Sequence, residues 1–261
     1  MRNSLLLVLL FVLPLSPKMG SLNIAHDTFR VDNLGRLQVL HNGSLDLYDA
    51  NAKLINHHSE ALLGRITSMD RVSALKLLVF YADIPAFQIL DNTLSPHSEV
   101  YDLNSEKMGN ITAVCMSANN TFWGYDGVQF ELIRFDDNYR VLSRSGNTAI
   151  TAGRVLDPIR MIENNGRLYV GDSEEGVFVF DQFGSYVRLL PYKGLIDMDI
   201  EGDMIYLSDG SSFDRAPVRG SMLIPAKEAL LEMSSFDVTA DKVFIGDGKR
   251  IHSRTLDSLF D

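Results

Sequence analysis

The stretch 167–190 reads RLYVGDSEEGVFVFDQFGSYVRLL, and the spacing of its apolar runs decides the fold. Runs at 168–171, 177–180 and 186–190 are rich in β-branched and aromatic residues, as strands are. The gaps at 172–176 and 181–185 carry the Asp and Gly that hairpin turns need. A fourth run, 158–163, lies upstream behind Asn164, Asn165 and Gly166. Four such runs in succession predict an antiparallel meander.

The meander recurs along the chain. Runs at 29–32, 37–40, 45–48 and 53–55 make a first copy. Runs at 66–69, 77–81, 87–90 and a weak 99–103 make a second, and 111–116, 121–125, 131–135 and 139–142 a third. After 158–190 come 196–200, 204–207, a degraded 213–218 and 222–224. The last copy has 236–238, 243–245 and 250–254. In each copy the second run closes on a polar turn residue: Asn42, Asp83, Asp126, Asp172, Asp209 and Asp247. These positions lie about 41 residues apart, and four strands at that period are the mark of a β-propeller. A sheet of four short strands cannot bury its own faces, so the sheets must lean on one another around an axis.

The expected fold is therefore all-β, a six-bladed β-propeller of four-stranded antiparallel blades, with five and seven blades as the alternatives. The sixth copy lacks a fourth run. The segment 22–25 is placed to supply it and close the ring, which removes two exposed sheet edges. The one helical signal, AKEALLE at 226–232, is expected to form a turn or two between blades.

Residues 1–20, MRNSLLLVLLFVLPLSPKMG, have a basic start at Arg2 and an apolar run over 5–15. That run is shorter than the ~20 residues of a membrane-spanning helix and fits a signal-peptide core. The reading is a leader over 1–20 and a single exported domain over 21–261, with an uncleaved tether as the alternative and no transmembrane span. The formal charge of −10 and pI near 5.0 repel phosphate backbones, which argues against a nucleic-acid partner. Cys115 is the only cysteine, so neither a disulfide framework nor a cysteine-based zinc site exists within the chain, and its apolar run makes it a buried thiol.

The segments LYDANAKL (47–54) and VFDQFGSYVRLL (179–190) resemble the blade pattern of NHL/YVTN-type six-bladed propellers. FRVDNLGRLQVL, ILDNTLS and DMDIEGDMIYLSDG are similar to exported propellers common in Bacteroidota. The resemblance spans nearly all of the mature chain, in short motifs. It implies the fold and, for its lyases and lactonases, a histidine-held zinc or a channel calcium; function does not follow from fold.

The histidines, His26, His41, His57, His58, His97 and His252, show no HxH or HExxH spacing and read as solvated loop residues. Innermost strands line the channel and include or adjoin Asp32, Asp70, Glu163, Asp197, Asp199 and Asp237. Asp70, Glu163, Asp199 and Asp237 are the candidates for a channel-mouth calcium, since hard cations take several oxygen ligands. The plainer reading makes them strand-ending or water-facing groups. Phe122, Trp123 and Tyr125 are read as core rather than as a sugar platform. No nucleophile elbow, P-loop or dinucleotide fingerprint occurs. The sequence thus points to an exported, non-catalytic binding or scaffold module with no cofactor, working with an envelope or extracellular protein as a monomer or in a hetero-complex. Its candidate partner face carries the turns at Asp83, Asp126, Asp172, Asp209 and Asp247. A calcium-dependent hydrolase or lyase using the channel carboxylates is the alternative.

Overall fold

The computed structural model describes residues 21–73, 75–104, 108–230 and 232–260. The leader reading at 1–20 lies outside them. Six four-stranded antiparallel sheets stand around one axis. The chain is a six-bladed β-propeller.

Blade 4 carries the stretch that decided the fold. Its strands, Pro158–Asn164, Arg167–Asp172, Gly176–Asp181 and Tyr186–Pro191, pair in sequence order. Blades 1, 2, 3 and 5 repeat the meander over 28–58, 66–102, 111–147 and 197–225. Blade 6 has Ser235–Val238, Lys242–Gly246 and Arg250–Thr255. Its outermost strand is Leu22–Asn23, with Leu22 opposite Ile251 and Asn23 opposite Arg250. The expected closure is what the chain uses, and the described residues leave no blade short of a strand.

Burial follows from position in the blade. In blades 2 and 4 the two middle strands are covered on both faces by neighbouring blades and read as nearly continuous apolar runs; in blade 2 Leu77 to Tyr81 and Ala86 to Leu90 are all buried, Gln88 being the one polar member. The outer strand of blade 3, Val141–Asn147, has one covered face and alternates. The apolar cores lie between blades, and one of them joins the chain's two ends: Phe29, Val31 and Leu37 of blade 1 meet Phe244 and Ile251 of blade 6, with Ile24 beside them. Phe122 faces the core shared with blade 2, whereas Trp123, Tyr125 and Cys115 face the core shared with blade 4. All are buried, as expected of core residues.

The helical expectation at 226–232 fails. The described run 226–230 bends without a helical turn, with the Ala226 N–H donating to the Phe213 carbonyl and the Lys227 N–H to Leu259. Leu230 and Met233 drop into the core between blades 5 and 6. Burial of those side chains outweighs a helix propensity of tenths of a kcal/mol per residue. The short α-helices among the described residues lie elsewhere, at Thr148–Thr151 and Leu256–Phe260, with one 3-10 turn at Ala118–Asn120.

Candidate functional site: a charged channel with two mouths

Each innermost strand runs in the same sense, so the blades share two faces. One face carries the turns from strand one to two and from three to four. It opens on a cavity of about 750 Å³ lined by Asp32, Asn33, Asp70, Arg71, Glu163, Glu201 and Lys242 among others. The other carries the turns from strand two to three and the connectors between blades. Its cavity of about 320 Å³ is lined by Arg30, Asp70, Arg160, Asp197 and Ser235 among others. Asp70 and Arg160 border both cavities, which places the channel's waist at their level.

The inner carboxylates are spent on neighbouring blades. Asp237 Oδ2 of blade 6 accepts from the Val31 N–H of blade 1 at 2.9 Å. Asp199 Oδ2 of blade 5 accepts from the Val238 N–H at 2.8 Å, and Asp197 Oδ2 from Phe236 at 3.2 Å. Asp70 Oδ2 of blade 2 accepts from the Met116 N–H of blade 3 at 2.9 Å. Glu163 of blade 4 reaches back to blade 3, where its Oε2 accepts from the Trp123 indole N–H at 2.7 Å and from the Ser117 hydroxyl. Innermost strands of different blades do not form one sheet, and these carboxylates satisfy amides left facing the channel.

Three arginines the sequence reading missed complete the site. Arg160 donates to Asp197 Oδ1 at 3.0 Å, to Asp199 Oδ1 at 3.2 Å and to the Met198 carbonyl. Arg71 donates to Asp237 Oδ2 at 3.4 Å and to the Val31 carbonyl. Arg30, buried to 4% exposure, gives one nitrogen to the Phe29 carbonyl and stands 3.8 Å from Asp237. Burial lowers the Arg30 guanidinium and the charge on Arg160 adds to it. Burial works against the Arg160 charge too, but Asp197, Asp199 and Asp237 more than reverse it, so Arg160 is raised. Burial raises Asp70, with the Met116 N–H pulling the other way.

Of the sequence-selected calcium candidates, Asp199 and Asp237 adjoin the same charged cluster, Asp70 lies at the waist, and Glu163 is turned toward Trp123. Among the described residues no three His, Cys, Asp or Glu groups converge as a metal ligand set. Two histidines depart from the loop reading. His26 is buried, its Nδ1 2.8 Å from the Ile24 carbonyl and its Nε2 accepting from the Gly248 N–H at 3.1 Å. His58 is buried with Nε2 3.0 Å from the Tyr81 hydroxyl, while its neighbour His57 points away to Asp46 at 2.7 Å.

The aspartates selected for the partner face are turn formers. Asp126 Oδ1 accepts from the N–H groups of Val128 and Gln129, and Asp172 Oδ1 from Glu174 and Glu175. Asp209 and Asp247 do the same for Ser211 and Ser212 and for Lys249 and Arg250. Asp83 accepts instead from the Arg65 N–H. Asp126 and Asp172 are each only 1% exposed, so their own side chains do not reach a partner. Beside exposed charges such as Arg65 and Glu174, that face carries exposed aliphatic side chains: Ile84 and Val128 on the turns, Leu62 and Ile150 on the connectors.

No family model matches the chain, and no curated protein does. Solved structures do. Virginiamycin B lyase from Staphylococcus aureus is 9% identical, with 93% of this chain and 86% of that one covered at a TM-score of 0.63. The Pan2 WD40 domain of Neurospora crassa is 12% identical over 90% and 76%, at 0.60. The computationally designed Ika8 protein is 11% identical over 88% and 70%, at 0.55. The likeness is one of fold. Among the described residues no helix is long and apolar enough to cross a membrane.

Proposed function

We propose that the chain is an exported propeller, of the kind resembling NHL/YVTN repeats, that serves as a non-catalytic binding or scaffold module in the cell envelope. The observation that carries this reading is where the channel's charges go. Carboxylates that a metal-dependent hydrolase would aim at a cation are instead bonded to amides of the next blade and to Arg71 and Arg160. Such bonds hold the ring together; they do not expose a poised base. The leader pattern at 1–20 supports export.

The docking face is the one bearing the turns at Asp83, Asp126, Asp172, Asp209 and Asp247. There the aspartates fix the loops, and Leu62, Ile84, Val128 and Ile150 offer apolar contact to an envelope or extracellular protein. Cross-linking in native envelopes, followed by mass spectrometry, tests this. A partner captured by the parent chain and by Leu34→Asp on the opposite face, but lost in Leu62→Asp and Ile150→Asp, supports it. A chain that stays in the cytosolic fraction, or a partner lost only with Leu34→Asp, overturns it.

A further inference from the structure

Seven ionisable side chains meet around the waist of the channel: Arg30, Arg71 and Arg160 with Asp70, Asp197, Asp199 and Asp237. The carboxylates outnumber the guanidinium groups by one. A buried charge without a counter-charge is costly, and a carboxylate can escape that cost by taking a proton. The hydrogen bonds say which one takes it. Asp197 accepts from Arg160 and from the Met198 and Phe236 amides. Asp199 accepts from Arg160 and the Val238 amide. Asp70 has one amide donor but borders both cavities, so water reaches it.

Asp237 differs from the other three. It is 0% exposed and borders neither cavity, and its Oδ1 has no hydrogen-bond donor at all. The groups that face it are Arg30 and the Val31 N–H from blade 1, Arg71 from blade 2, Arg160 from blade 4 and Asp199 from blade 5, with Asp197 of blade 5 acting on Arg30 and Arg160 beside it. Its ionised form therefore sits against a second carboxylate, with Arg30 Nε, 3.8 Å away, facing an Oδ1 that accepts no hydrogen bond.

We propose that the channel waist is a one-proton site, the proton resting on Asp237 Oδ1 and leaving as the solution turns alkaline, so that the seam between blades 6 and 1 is tighter in acid than in base. Asp237 holds that seam through the Val31 N–H, which donates to its other oxygen. Burial, then the charge on Asp199, push the Asp237 carboxyl up to about 7, against the pull of Arg71, Arg30 and the Val31 amide. A folded-state value above the ordinary 3.8 means that the folded chain holds a proton the unfolded chain has lost. The resulting stabilisation is complete below 3.8 and is lost as the pH rises through about 7. Across that window one bound proton changes the unfolding constant about tenfold per pH unit.

The test is urea unfolding of the full chain, of Asp237→Asn and of Asp70→Asn from about pH 5 to about pH 8.5. The ratio of parent to Asp237→Asn unfolding constants should climb about tenfold per unit up to neutrality and then level, with the His26 contribution cancelling in the ratio. Asp70→Asn should keep the parent slope. A flat ratio, or a slope abolished by Asp70→Asn, overturns the proposal. Infrared spectroscopy gives a readout that needs no Asp237 variant: in the parent and in Asp70→Asn, a protonated carboxylic acid band should be present below neutrality and bleach above it. Its absence below neutrality overturns the proposal equally.

Discussion

His26→Ala probes the point where the ring closes. His26 lies just after the Leu22–Asn23 strand and bridges it to blade 6: Nδ1 to the Ile24 carbonyl, Nε2 from the Gly248 N–H, with the ring edge-on to Phe29 at 5.3 Å. Alanine leaves the buried Ile24 carbonyl and the half-buried Gly248 amide without these partners, and His26 itself is only 3% exposed. Each such group costs ~1–3 kcal/mol, and loss of the ring's packing brings the expected loss to about 3–5 kcal/mol. The effect also has a pH signature. Burial is the main cause holding the imidazole below its ordinary 6.5, partly offset by the bond to the Ile24 carbonyl. Because Nε2 must accept a hydrogen, the folded chain needs the neutral ring. This stability is complete above 6.5 and is lost as the pH falls toward the lowered folded-state value. The gap between parent and His26→Ala should therefore narrow by up to ~1.4 kcal/mol for each unit below 6.5. Urea denaturation at several pH values measures it. A gap under about 0.5 kcal/mol, below the range for even one lost bond, or one that does not change with pH, would refute the closure argument.

Other sites make sharper contrasts. Gly109 has φ +77° and its added Cβ would lie 2.0 Å from Asp126 Oδ2, whereas Gly35 has φ +73° and open space around it. Gly109→Ala should cost well over 2 kcal/mol and Gly35→Ala about 1 kcal/mol, read by the same denaturation assay. Glu163→Leu strips the acceptor from the buried Trp123 N–H, for an expected loss of about 1–3 kcal/mol and a changed emission from the chain's only tryptophan. Cys115 is fully buried, and burial pushes its thiol well above the ordinary range. It should resist thiol reagents in the native protein and react only on unfolding; rapid native labelling would contradict the core assignment.

Much of this architecture was written in short-range signals. A turn aspartate after an aromatic strand needs only its own next few amides, as at Asp126 and Asp172, so its recurrence counted the blades correctly. The second set of turns keeps a similar period. Asp49, Asp91, Asp136 and Asp181 each cap a turn between strands three and four, accepting from amides two and four residues on. The positive-φ residue there is glycine only at Gly184, and Ala52, Leu94 and Tyr139 elsewhere, so the aspartate and not a glycine marks them. The site was half legible. Its acids stood in the innermost strands as read, but their partners come from other blades; Asp237 and Val31 are 206 positions apart. Arg30, Arg71 and Arg160, beside or near those acids in the same strands, were the available clue. Likewise, AKEALLE has helical propensity in isolation, and only the neighbouring blades decide that Leu230 goes into a core instead.

Elemental analysis of the purified chain, with Asp199→Asn and Asp237→Asn beside it, most directly tests whether the inner carboxylates serve as blade-to-blade ties. The account predicts no stoichiometric divalent ion in the parent and no change in metal content in either variant. A stoichiometric calcium that either substitution removes would contradict it and restore the hydrolase or lyase reading.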